Sequence, residues 1–226
     1  LSLVEDENTG EILVDELHTE IPEYRLKETE TLVSILGDEV VQEFPWKNDM
    51  KPSTNDNVEG VLRRTWRPAL SIVGSDGLPP TANAGNVLRP YTTLQLSMRI
   101  PPMVDAKKAT EAIKKKLTES IPYEASVKLH FEEAADGWNA PETSPWLIEA
   151  IEKASENYFD EKPCSISEGG TIPFMAMLGE RFPNAQFVIT GVLGPQSNAH
   201  GPNEFLHIPF AKKLTCCISS IISDFQ

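Results

Sequence analysis

The chain has 226 residues, 40% of them hydrophobic and 24% charged, with a formal net charge of −14. That is enough apolar side chain for one large core or two modest ones, and it excludes a disordered chain. The acidic balance argues against nucleic acid and against anionic membrane surfaces as partners, since like charge repels.

In chain order, Leu1 to Val4 is apolar and Asp6-Glu7-Asn8-Thr9-Gly10 reads as a polar turn. Residues 23–44 place Leu26, Val33, Leu36, Val40 and Phe44 at helical spacing between Pro22 and Pro45. Residues 47–60 read as a loop. The basic run Arg63-Arg64-Thr65-Trp66-Arg67 after it reads as a solvated edge, with phosphate binding the weaker reading in so acidic a chain. Leu70-Ser71-Ile72-Val73 is a short strand, followed by a Gly/Pro-rich loop through Gly85. From Tyr91 to Ile100 the chain alternates: Leu94, Leu96, Met98 and Ile100 face one way, Thr93, Gln95, Ser97 and Arg99 the other. Pro101-Pro102 ends this strand, and Asp105 caps a helix carrying Ala106, Ala109, Ile113, Leu117 and Ile121 on one face. Pro122 stops the helix, and Ser126 to Phe131 alternates as a further strand. Strand, strand, helix, strand is most of a ferredoxin-like sandwich without its first strand and first helix.

The character changes near residue 138. Ser144-Pro145 starts a helix with Leu147, Ala150, Ile151, Ala154 and Tyr158 as its apolar stripe. A short helix near 173–181 follows, then an apolar strand from Phe187 to Leu193, suited to a sheet covered on both faces. The chain ends in a helix with Phe210, Ala211, Leu214, Cys217, Ile218, Ile221 and Ile222 inward. The fold class is therefore α/β with an α+β portion, divided into residues 1–137 and 138–226. No apolar run approaches the roughly 18–20 residues that span a bilayer. Cys164, Cys216 and Cys217 lack CxxC spacing and imply a reducing compartment, the cytoplasm, and neither a disulfide frame nor a cysteine-built zinc site. No signal peptide opens the chain, which starts at Leu1 and not at Met.

Three constellations bear on chemistry. The loop Gly194-Pro195-Gln196-Ser197-Asn198-Ala199-His200-Gly201-Pro202-Asn203-Glu204 holds one histidine, with a carboxylate four residues on. A metal ligand supported from behind needs such a setting, although a loop histidine is more often a surface side chain. Ser167-Glu168-Gly169-Gly170-Thr171-Ile172-Pro173 could hold an anion through backbone N–H groups, or could simply connect two elements. Arg99, beside Ser97 and Gln95, is either a surface charge or a bidentate fork for a carboxylate. His18, His130 and His207 are weaker candidates, and Cys216-Cys217 lies in an apolar helix. No GxSxG, Walker loop, HExxH or dinucleotide fingerprint occurs.

Taken in order, the strand at Ala69–Gly74, Gly85-Asn86-Val87-Leu88-Arg89-Pro90, Leu96-Ser97-Met98-Arg99-Ile100-Pro101, Glu168-Gly169-Gly170-Thr171-Ile172-Pro173 and Ala199-His200-Gly201-Pro202-Asn203-Glu204 resemble the second half of the di-zinc metallopeptidases. That family includes carnosinase-type cytosolic dipeptidases, aminoacylase, glutamate carboxypeptidase and succinyl-diaminopimelate desuccinylase. The resemblance covers nearly the whole chain. It implies a zinc-binding α/β domain with an inserted ferredoxin-like lid that mediates homodimerisation. Residues 1–137 would then be the lid without its first strand and helix, and 138–226 the C-terminal part of the catalytic domain.

By the same resemblance, His200 is the last histidine ligand of a zinc pair, with manganese or cobalt as alternative metals, and Asn203 and Glu204 buttress it. Arg99 holds the substrate carboxylate, Asn86 faces the active site from the lid, and Gly169, Gly170 and Thr171 form the substrate-binding loop. The implied reaction is hydrolysis of a peptide or an N-acyl amino acid: a glutamate deprotonates a metal-bridging water, and the metals stabilise the oxyanion. The glutamate base, a His-x-Asp segment, a bridging aspartate and a Glu-Glu pair precede these motifs in the family. No catalytic base is therefore expected in this chain, which is expected to be inactive without the N-terminal half. A further histidine of the carnosinase branch is replaced here by Glu132-Glu133-Ala134-Ala135, which does not favour a carnosinase-like substrate. The competing expectations are a non-catalytic dimerisation module derived from the lid and an amino-acid-binding regulatory domain.

Overall fold

The computed structural model describes residues 1–42, 44–167, 173–194 and 196–225. It divides the chain into two compact units, Leu1–Asn139 with Ile166–Met177, and Ala140–Ser165 with Leu178–Gln226.

The first unit opens on a turn built by Asp6, whose carboxylate accepts the N–H groups of Thr9 at 2.8 Å and Asn8 at 2.9 Å. Those two donors, Thr9 first, hold the carboxyl below the usual carboxylate range. The turn lets Glu5 bridge to Ile12 and folds the apolar start back on itself. Val4, Ile12, Val14 and Leu17 are consequently buried, with Val104, Ala109 and Ile113, in one core cluster.

Helix α1 runs Glu23–Leu36 and does not continue to residue 44. Gly37, at φ 55° and ψ −130°, turns the chain and returns its N–H to the Val33 carbonyl at 2.8 Å. A short α2, Glu39–Gln42, restarts the helix, which is why the apolar spacing appears unbroken in the sequence. Leu32, Val40 and Val61 share the cluster these helices bury. Helix α3, Asn57–Thr65, replaces the expected loop and basic edge. Asp56 caps it by accepting from Val58 and Glu59 N–H, a start signal hidden in a polar stretch. Its inner face buries Val61, Leu62 and Thr65, with Trp66 buried at its end, while Arg63 and Arg67 pair with Glu59 at 3.4 and 3.1 Å.

Strands β1, Ala69–Asp76, and β2, Thr93–Arg99, form an antiparallel pair with Ala69 opposite Arg99, Leu70 opposite Met98 and Ser71 opposite Ser97. A bulge at Val73 sets Gly74 opposite Gln95. Leu70, Met98 and Ile100 pack on the core cluster, as the alternation requires. Beyond the strand, Asp105 accepts the Lys108 N–H at 3.0 Å and opens α4, Ala106–Thr118, which buries Ala106, Ala109 and Ile113. Residues 126–131, read as a strand, are not one: the described residues contain only the β1–β2 ladder. Alternation marks the face a strand would bury, but a strand also needs a hydrogen-bonded neighbour.

The second unit is built on α5, Pro145–Phe159, and the terminal α7, Ile208–Asp224. Leu147, Ala150 and Ala154 of α5 interlock with Cys217 and Ile221 of α7. The Cys217 thiol donates to the Ala154 carbonyl at 3.4 Å, and burial pushes its pKa up. Ser144 stands at the start of α5, but its hydroxyl makes no capping bond; its N–H donates instead to Gln186 Oε1 at 2.6 Å. Helix α6, Pro173–Arg181, lies where expected. Residues 187–193, read as a strand, are not in one among the described residues. No helix among the described residues is long and apolar enough to cross a membrane.

Candidate functional site

The loop before α7 is tied to itself. Ser197 is buried, its hydroxyl donating to the Gly194 carbonyl. Its own carbonyl accepts the Phe205 N–H at 3.1 Å and closes the base of the loop. Within that closure the Gly201 N–H donates to the Asn198 carbonyl at 2.9 Å, and the Asn198 side-chain amide donates to the Pro202 carbonyl at 2.6 Å. The His200 N–H donates to Glu204 Oε2 at 3.2 Å. At the helix end, His207 accepts the Phe210 N–H on Nδ1 at 3.2 Å and caps α7. Any side chain at Gly194 would clash with His207.

Among the described residues of this loop, four that are not glycine have positive φ: Gln196 at 62°, Asn198 at 54°, His200 at 61° and Asn203 at 61°. The left-handed conformation costs an ordinary residue about 1–2 kcal/mol, and asparagine less. His200 is exposed on a left-handed backbone, which histidine tolerates better than most residues, and the surrounding hydrogen bonds hold it there. Glu204 supports it through the main chain, and Asn203 contributes a turn.

Arg99 stands exposed at the end of β2, on the face that carries Ser97 and, across the ladder, Ala69 and Ser71. Small neighbours leave the guanidinium room, and no hydrogen bond or ion pair to it occurs among the described residues. Asn86 is exposed at the centre of a tight turn in which the Val87 N–H donates to the Gly85 carbonyl at 2.9 Å. Arg99 and Asn86 belong to the first unit, His200, Asn203 and Glu204 to the second. Gly169, Gly170 and Thr171 lie outside the described residues. Ser167, just before them, accepts the indole N–H of buried Trp66 at 3.4 Å.

Ser197 and Asn198 were not singled out by sequence reasoning. The one available signal was an asparagine two residues before the histidine, since asparagine tolerates the left-handed region. Among the described residues no three His, Cys, Asp or Glu side chains converge into a metal-binding group. A catalytic zinc takes about three protein ligands, so these residues by themselves do not fit one, and His200 would supply a single donor.

No protein-family model matches the chain. A cysteinylglycine-S-conjugate dipeptidase of Corynebacterium striatum is 24% identical over 152 residues, 65% of this chain and 33% of that enzyme. Human carnosine dipeptidase 1 superposes on 99% of the chain with a TM-score of 0.68 at 18% identity, using 47% of its own length. The di-peptidase Dug1p of Saccharomyces cerevisiae matches 99% at 0.68 and 19% identity, using 46% of its length. The M20 family metallo-carboxypeptidase Sso-CP2 of Sulfolobus solfataricus matches 97% at 0.67 and 19%, using 49%. The α/β fold class expected from the sequence is thus the fold class of these solved structures. The chain shares the fold of these solved metallopeptidases, and it spans about half the length of the solved chains it matches and a third of the curated relative.

Proposed function

We propose that the chain is the C-terminal half of a zinc-dependent hydrolase that cleaves a peptide or amide bond of a substrate ending in a free carboxylate. The observation that carries this reading is His200, exposed on a left-handed, hydrogen-bonded loop within a fold matched almost end to end by metallopeptidases. When bound, the metal pair would supply an activated water and Lewis-acid stabilisation of the oxyanion. His200 would give one ligand, and the rest, with the base, would come from the N-terminal half. Arg99 would bind the substrate carboxylate as a fork, aided by Asn86 and by the loop of Gly169, Gly170 and Thr171. The lid would pair two copies into a homodimer.

The dipeptidase names of the relatives support dipeptides as the first substrates to try. In the complete protein, hydrolysis of a dipeptide and N-acyl amino-acid panel should be lost on chelation and restored by zinc. His200→Ala should lower bound metal and reduce turnover at least 100-fold. Hydrolysis insensitive to chelation, or full activity and metal content in the His200 variant, would overturn the proposal.

An interaction module remains the second reading, favoured by exposed Ile72, Val73 and Leu94 on the two-stranded sheet. A complete protein that dimerises yet hydrolyses nothing in the panel would support it.

A further inference from the structure

The His200 loop contains a residue that nothing in the proposed chemistry uses. Asn198 is exposed, so its side chain is not needed to fill a core. Yet it grips the turn at two points, its carbonyl accepting from Gly201 N–H and its amide donating to the Pro202 carbonyl. It also blocks the space beside Gly201, where a Cβ would meet the Asn198 amide at 2.6 Å. The two bonds fall on the two residues that follow His200, and Glu204 takes the His200 N–H itself. His200 at φ 61° is thus bracketed by one fixed residue before it and two fixed residues after it. Ser197 closes the base of the loop through Phe205, but its bonds do not reach the His200 turn.

We propose that Asn198 is the positioning residue for His200: it holds the histidine's left-handed backbone so that the imidazole is presented in one direction. The role requires an amide, because a donor must meet the Pro202 carbonyl. Aspartate has the same shape and tolerates positive φ, but offers only acceptors at neutral pH. Glycine accepts the same φ and keeps the main-chain bond to Gly201, but has no donor.

This inference rests on His200 being a site residue, and its first test does not depend on catalysis. In the full chain, backbone 15N relaxation and amide exchange are compared for wild type, Asn198→Asp, Asn198→Gly and Asn198→Ser. In wild type, His200 should show an order parameter near the rigid-backbone value of about 0.85. In Asn198→Asp it should fall below about 0.6, with Gly201 amide exchange at least tenfold faster. Asn198→Gly should show the same loss, which isolates the side-chain donor from the backbone preference. Asn198→Ser, whose hydroxyl is a shorter donor, should recover part of the order. The exchange of the Phe205 amide and of Ile218 in α7 should not change in any variant. An unchanged order parameter in both Asp and Gly variants would overturn the proposal, as would equal losses at His200, Phe205 and Ile218, which mean general loosening. In the complete protein, the positioning role then predicts a lower kcat with KM within about twofold for Asn198→Asp. A rigid His200 in an inactive protein would sink the hydrolase reading and leave the loop assignment standing.

Discussion

Arg99 offers the most direct test of chemistry by a single side chain. It lies opposite Ala69 and beside the Ser71–Ser97 pair, so no neighbour across the ladder competes for its donors. A buried or half-buried guanidinium would be explained by a structural ion pair, as Arg63 and Arg67 are by Glu59. An exposed one without such a partner among the described residues is available to a ligand. A charge-assisted bidentate bond contributes about 1.5–3 kcal/mol, which corresponds to roughly a 10- to 150-fold change in an equilibrium. In the complete protein, Arg99→Met should therefore raise KM for a dipeptide by about that factor with kcat little changed. Arg99→Lys should recover only part of the loss, since an ammonium is a point charge and not a fork. The control is the same dipeptide with its C-terminus amidated, whose kinetics should be indifferent to the substitution. Equal damage on both substrates would mean that Arg99 does not read the carboxylate.

Among the elements, Gly37 decides whether residues 23–44 are one helix or two. Its φ of 55° with ψ of −130° is a region open almost only to glycine. A Cβ there would meet nothing within 4 Å, so the penalty for Gly37→Ala is purely conformational. It should cost about 1–3 kcal/mol, read as a lower denaturant midpoint with unchanged slope. Asparagine should not rescue it, because asparagine tolerates the left-handed helical region and not this ψ. A midpoint within error of wild type would show that the chain can pass from α1 to α2 without the turn. The break also explains what was legible in the sequence. Local signals were read correctly: the Asp105 cap, Pro101-Pro102 after β2, and Pro145 at the start of α5. The Asp56 cap was equally local, but polar composition around it masked the helix it opens. Alternation over residues 126–131 describes a strand's faces and not its partners, and no strand forms there. The loop around His200 is legible in its Gly, Pro and Asn content. Its left-handed backbone is not, because it depends on bonds among Ser197, Asn198, Pro202 and Glu204.

For the molecule as a whole, surface area carries the argument. The chain exposes 16695 Å², whereas two separate compact bodies of the sizes of its two units would expose roughly 12,000 Å² together. Many large apolar side chains are exposed. In the second unit, Trp146, Val188, Ile222 and Phe225 are 39%, 41%, 69% and 67% exposed. They line a groove of about 430 Å³ together with Leu147 and Ile221 of the helix pair. Single exposed apolar residues are ordinary, whereas a groove lined by several of them is the kind of surface that a partner can cover. If, as proposed, the chain works with an N-terminal half, two outcomes are expected. Expressed alone, the 226-residue chain should bind a hydrophobic dye strongly and hydrolyse no dipeptide at any zinc concentration, since one histidine cannot assemble a catalytic metal site. Co-expressed with the N-terminal half, it should form a stable complex with dye binding reduced several-fold and with chelator-sensitive hydrolysis. Hydrolysis by the isolated chain would disprove the half-site reading. A complex that hides the groove but stays inactive would separate the packing argument, then upheld, from the catalytic one, then refuted.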